Sequence, residues 1–297
     1  MNVDLLREFY ERAGFRIARS ASADWYVPGK RVYRNFPAGH PVAPAADEIA
    51  ELSHHSGIFG IEFVNASGVG VQTGLWALRD SSYDWHSLQR QFRQHAVRAL
   101  SRERVQEIGF DDLFRLGRSA NLDTLRRQKR QDRHFSDPVL WRQLCDAGKH
   151  TKGAGVFASM RPEGLSAYLV YFIVGDTCHG LFSKSRNQAR NAGSNHALYF
   201  IYSRTMIRRS EISRITTGPQ AIPPNTPVDR FKKHAGYHLE PYHFAVLLRP
   251  RVSTLLLSRP AGALIRAAER LFGSRQILRR AHALRYAVRA TVKKMRL

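Results

Sequence analysis

Cysteine is nearly absent: the 297 residues hold two, Cys145 and Cys178. Two are too few for a disulfide framework, and no C-x-x-C or paired His/Cys spacing points to zinc. Such usage suits a reducing, cytoplasmic compartment. Long apolar runs are lacking as well. Nowhere do roughly 18 apolar residues follow one another, and the longest apolar strand candidates, residues 168–174 and 244–248, are far too short to cross a bilayer. The opening Met1-Asn2-Val3-Asp4-Leu5-Leu6-Arg7-Glu8 sets acids in an amphipathic pattern, so no secretory signal is expected. Acids are scarce too: 24 Asp and Glu face 47 Lys and Arg, leaving a net charge of +23.

Where that charge sits matters more than its size. From residue 249 onward, 11 Arg and 2 Lys stand against the single acid Glu269, so this stretch holds +12 of the total. Within it Ile277, Ala281, Leu284, Val288, Val292 and Met295 recur at helical spacing, with Arg275, Arg279, Arg280, Arg289, Lys293 and Lys294 on other faces. A basic amphipathic helix of this kind either rests on an anionic membrane or RNA, or packs its apolar stripe on its own protein. If it binds lipid, the chain sits peripherally on the inner face of the membrane.

The length allows two modest domains. Residues 3–14 read as an opening helix, 47–52 as a second, and 57–64 with 68–78 as a β-hairpin turning near 65–68; 84–100 follows as a helix. A helical connector spans 111–148. Strands at 154–160, 165–174 and 177–183 then lead into a helix at 196–209, a strand at 212–217, a helix at 228–235 and a last strand at 242–248. The expected class is α+β.

Chemistry concentrates in two stretches. Between a strand and a helix, residues 183–196 (SKSRNQARNAGSNH) form a Gly/Ser/Asn-rich segment. A loop there leaves backbone N–H groups at the positive end of a helix dipole, a natural phosphate site, with Arg186 and Arg190 adding charge and Gly193, Ser194 and Asn195 at the turn. An ordinary N-capped helix start explains the same residues. The second stretch is Asp229-Arg230-Phe231-Lys232-Lys233-His234-Ala235-Gly236-Tyr237, followed by Glu240-Pro241. Neither cysteine has an obvious His partner and no Gly-x-Ser-x-Gly elbow exists, so nothing points to a covalent acyl intermediate. His54, His55, His86 and His95 share no ligand spacing.

Arg190-x-x-Gly193-x-Asn195 resembles the pyrophosphate loop of the GNAT (acyl-CoA N-acyltransferase) superfamily, with Asn195 where the pattern carries Gly or Ala. Phe231-Lys232-x-x-x-Gly236 before a Pro is similar to the close of the second domain in Fem-type acyltransferases. In the same order come Tyr83-Asp84 opening a helix with Arg90, Arg93 and Arg98; Thr124-x-x-Arg127; Trp141; Asn195-x-Ala197-Leu198; and Gly218. The resemblance runs from about Asp24 to Arg249. It implies two tandem GNAT-like domains, each a mixed twisted sheet flanked by helices, at 1–110 and 151–249, with the connector at 111–150 and a basic helical tail at 250–297.

It further implies direct attack of an amine on an acyl-CoA thioester or, alternatively, an aminoacyl-tRNA, with no metal. The acceptor would be a small-molecule or lipid-linked amine of a cell-envelope or glycan precursor. Lys232 would steady charge on the carbonyl oxygen, and Arg186, Arg190, Gly193, Ser194 and Asn195 would hold the donor. Loss of the amine proton calls for a base, with His179 and Asp176 as candidates that also read as structural residues. The rival reading is a catalytically inactive GNAT-like scaffold recruited to an anionic membrane or nucleic acid by its tail.

Overall fold

The computed structural model describes residues 3–28, 31–65, 67–222, 224–272 and 276–295. Helix α1 (Val3–Arg12) buries Leu6, Phe9 and Tyr10. Three short strands, β1 (Ile17–Arg19), β2 (Asp24–Tyr26) and β3 (Val32–Phe36), precede α2 (Ala46–His54), β4 (Gly60–Asn65) and β5 (Val71–Leu78). A 3-10 turn at Trp85–Ser87 leads into α3 (Arg90–Leu100), β6 (Arg104–Ile108), α4 (Phe110–Gln128), α5 (Arg133–Ser136) and α6 (Pro138–His150). Next come β7 (Ala154–Arg161), β8 (Gly164–Val174), β9 (Thr177–Ser185), α7 (Asn187–Ala192), α8 (Ser194–Ile207), β10 (Arg214–Pro219), α9 (Pro227–His234) and β11 (His238–Leu248). The chain closes with α10 (Pro250–Leu257), α11 (Arg259–Phe272) and α12 (Gln276–Met295).

The class is α+β, as expected. The chain divides into two compact units: one comprises Met1–Phe15, Trp76–Gly218 and Asn225–Glu240, the other Arg16–Leu75, Pro219–Pro224 and Pro241–Leu297. Both are discontinuous in sequence.

In the larger unit the strands run in the order β5-β10-β9-β8-β7-β6. Strand β8 pairs antiparallel with β7 and β9, and β9 pairs parallel with β10. Alternate residues of β8 point to opposite faces. Tyr168 and Phe172 meet Trp141 of α6 and Phe9 of α1, at ring-centroid distances of 6.1 and 5.7 Å. On the other face Leu169 and Tyr171 join Phe157, Leu198 and Tyr202 around α8. Each large side chain so buried contributes roughly 1.5–3 kcal/mol. Helix α6 starts where Asp137 accepts from Val139 N at 2.9 Å and Pro138 takes the first helical position.

The smaller unit orders its strands β1-β2-β3-β4-β11-β5. The hairpin expected of β4 and β5 does not form, because β11 lies between them, antiparallel to β4 with His243 opposite Asn65 and Leu248 opposite Gly60. Two local features allow this. Asn65 closes the turn with its own side chain, donating to Val69 O at 2.8 Å and accepting from Ser67 Oγ at 2.9 Å. At Gly70 a Cβ would lie 2.2 Å from Phe244 O, so only glycine admits the backbone of β11. Trp25, Tyr33, Ile61, Phe63 and Ala245 form the core on one face, with Leu52 of α2. On the other, Val71 and Val246 pack against Ala287 and Val288 of α12, and Val246 N donates to Thr291 Oγ1 at 3.0 Å. The tail's apolar stripe is thus partly spent on its own sheet, while Leu255, Leu264 and Tyr286 stay exposed. Arg275 lies outside the described residues, as do the side chains of Ile277, Arg279, Arg280 and Met295.

Candidate active site

Strands β9 and β10 pair over three positions only, Thr177 with Arg214, Cys178 with Ile215 and His179 with Thr216. Both strands continue past that point, β9 to Ser185 and β10 to Pro219. Beyond His179 the edge of β9 has no ladder partner in β10. Such an opening presents unpaired backbone groups to an extended ligand.

Helix α9 stands at this opening because Thr226, Pro227 and Asp229 make a strong helix start. Thr226 Oγ1 accepts from Asp229 N at 3.3 Å, and the Asp229 carboxylate takes Thr226 N at 2.9 Å and Trp76 Nε1 at 3.1 Å. Lys232 follows three residues on, on the same side of the helix. It is 6% exposed, and its Nζ donates to Gly218 O at the end of β10, at 3.3 Å. Burial drives its pKa down from 10.5 to about 8, against the pull of Asp229. Phe231, its neighbour, packs on Phe92, Tyr199 and His196, with the His196 ring 5.1 Å away.

The segment expected as an open phosphate loop holds the end of β9, helix α7 and the start of α8. Helix α4 clamps its entry: Thr124 Oγ1 donates to Ser185 O at 3.0 Å, Asp123 accepts from Asn187 N at 3.0 Å, and Arg127 reaches Asn187 Oδ1 at 2.7 Å. Arg186 is the residue before α7 and its N donates to Ser166 O at 2.9 Å. Arg190 lies in α7, and its side chain is outside the described residues.

Ser194, at the start of α8, is fully buried and donates to Glu103 Oε1 at 2.7 Å. A carboxylate therefore already complements this positive helix end. Asn195 Nδ2 donates to Ser185 Oγ at 3.2 Å, while its buried Oδ1 has no partner among the described residues. Gly193 holds a φ of +82°, and a Cβ there would come within 2.5 Å of His95 O on α3. Gly193→Ala should therefore cost about 2–3 kcal/mol, read as a lowered melting temperature; an unchanged melting curve would show that α7 and α3 move apart freely.

The two base candidates separate. Asp176 precedes β9 and is exposed; its carboxylate accepts from Ser213 Oγ, which lowers its pKa. Ser213 precedes Gly218 by five residues, roughly 16 Å of strand, so Asp176 lies at the far end of β10 from Lys232. His179 stands where the β9–β10 ladder ends, buried, its Nδ1 3.1 Å from Thr216 Oγ1. Burial, aided by Arg214, lowers its pKa to about 4. A base that weak takes a proton from an ammonium only with difficulty.

Cys178 is buried beside the Tyr202 hydroxyl, and burial pushes its thiol up to about 12, which rules out a resting thiolate. Among the described residues no group of three or more His, Cys, Asp or Glu is placed to hold a metal ion, and no helix is long and apolar enough to cross a membrane. Sequence reasoning assigns no role to Asp229, Trp76, His196 or Glu103. The Thr226-Pro227-x-Asp229 cap is visible in the sequence, but its bond to Trp76 spans 153 residues.

The arrangement of strands and helices defines a GNAT-like, Fem-type fold. Among solved structures the chain is similar to FemX, with a TM-score of 0.57 and 12% identity over 85% of this chain and 93% of that one. It also matches the C-terminal domain assigned to a putative lysylphosphatidylglycerol synthetase from Agrobacterium fabrum, at TM-score 0.54 and 13% identity over 89% and 91% of the two chains. A third is L-PGS from Bacillus licheniformis, at TM-score 0.51 and 14% identity over 93% and 98%. No protein-family model and no curated protein matches the chain.

Proposed function

We propose that this protein is an N-acyltransferase that moves an acyl or aminoacyl group from an activated donor to an amine, with Lys232 as the cation facing the developing oxyanion. The amine nitrogen attacks the carbonyl carbon, a C–N bond forms, the C–S or C–O bond to the donor breaks, and the amine proton leaves to solvent. The observation that carries this reading is the buried Lys232 ammonium at the open end of β9 and β10, whose Nζ donates to Gly218 O at 3.3 Å, with the Asp229 carboxylate as countercharge. A desolvated charge gains when an anion forms beside it. The names of the structural neighbours support aminoacyl transfer to an envelope component.

The donor is taken to be an acyl-CoA, reached through the α7–α8 segment. An aminoacyl-tRNA is the second reading, favoured by the Glu103 carboxylate at the start of α8 and by the net charge of +23. Calorimetry with acetyl-CoA at fixed salt separates them. Binding that weakens about tenfold in Lys232→Ala supports the thioester donor. Absence of binding to the intact chain transfers the case to aminoacyl-tRNA, and absence of both leaves an inactive scaffold.

A further inference from the structure

In the smaller unit, strand register lines up three polar side chains on one sheet face. Tyr26 lies opposite Arg34, Arg34 opposite Glu62, and Glu62 opposite Val246. Val246 packs under α12, but the row beside it does not; it lines a cavity of about 220 Å³. That is room for roughly seven waters. Tyr242, Thr73 and Gln220 add polar groups to the lining, and Val64, Ile222 and Phe244 supply an apolar wall.

A charged pair in the middle of a sheet face is a poor way to stabilise a fold, since desolvation offsets most of the attraction. Here the pairing is also lopsided. Arg34 Nε donates to Glu62 Oε1 at 2.6 Å and its Nη2 reaches the same oxygen at 2.5 Å. Both of these contacts run to Oε1, Arg34 is also hydrogen-bonded to the Tyr26 side chain, and Arg34 remains 37% exposed against 17% for Glu62. The Glu62 carboxylate and the partly exposed Arg34 guanidinium thus line the same small space, beside an apolar wall.

We infer that this cavity binds an α-amino acid, or a residue keeping both free groups, with its ammonium on Glu62 Oε2, its carboxylate on Arg34 and an apolar side chain against Val64, Ile222 and Phe244. The binding is measured without any donor and stands apart from the transfer reading.

The test is calorimetry of the full chain with L-leucine, compared with isoamylamine and 4-methylpentanoate, which each keep one of the two charged groups. The expected result is binding of L-leucine, with both analogues and the Glu62→Gln variant weaker by about tenfold or more. No binding of L-leucine, L-alanine or L-lysine at about 10 mM, or equal binding by wild type and Glu62→Gln, would overturn it. If Glu62→Gln does not fold, the analogue series on the wild type decides the matter. Leucine binding without any donor binding would remove the transfer reading and keep the site; acetyl-CoA binding without leucine binding would do the reverse.

Discussion

Lys232→Met should make the protein more stable at pH 7 and nearly inactive. Burial holds the Lys232 pKa near 8 rather than 10.5, a difference of roughly 3 kcal/mol against folding with the ammonium in place. Methionine fills similar volume without the charge. For a unit of this size that corresponds to a rise of roughly 5–10 °C in melting temperature. The sign follows from proton counting. Between pH 8 and 10.5 the unfolded chain holds the Lys232 proton while the native chain has released it, so wild-type stability rises across that window. Below about pH 8 both states hold the proton and the penalty is complete. Lys232→Met lacks the rise, so its advantage should be full at pH 7 and vanish near pH 10.5. Melting curves at pH 7, 8, 9 and 10 check this, and parallel curves for the two proteins would show that Lys232 is not desolvated. Acyl transfer should fall by roughly 100-fold or more if the ammonium meets the oxyanion.

Glu103→Ala should have the opposite effect on stability, and a larger one. Its carboxylate, wholly buried, accepts from Ser159 Oγ at 2.6 Å, Arg161 Nε at 2.6 Å and Ser194 Oγ at 2.7 Å. Truncation leaves two buried hydroxyls and a guanidinium only 24% exposed without their acceptor. Losing one partner of such a cluster costs about 3–5 kcal/mol, or about 10 °C or more for a unit of this length. Ser194→Ala should cost far less alone and almost nothing on top of Glu103→Ala, since the hydroxyl has already lost its acceptor. Additive losses in the double variant would mean that Ser194 and Glu103 act independently. The same carboxylate explains why α8 differs from an empty phosphate cradle: its positive end is tied to β7 through Ser159 and Arg161.

Elements with strong local signals are legible in the sequence. Apart from α7, which stands where a loop is expected, the strands and helices from β7 to β11 fall within a few residues of their expected bounds, because apolar alternation and helical spacing are carried by neighbouring residues. Strands β1, β2, β3 and β6 have no counterpart in the sequence reading. They are three to five residues long, too short to show a period, and pairing rather than propensity makes them strands. Arg34 and Glu62 give no local cue either, being 28 residues apart in the chain and neighbours only through the β3–β4 register.

What the amino-acid order determined by itself was the α+β class, the run of elements from residue 154 to 248 apart from α7, the basic tail and the Phe231-Lys232 motif, since each rests on residues close together in the chain. Only the tertiary structure decided that β11 would separate β4 from β5, that Ser194 would be consumed by Glu103, that Asp176 would fall at the far end of β10 from Lys232, and that Lys232 would be desolvated. Each depends on which distant segment arrives beside a given backbone or charge. A lysine reads the same in sequence whether water or Gly218 accepts its hydrogen bond, and burial alone moves its pKa to about 8.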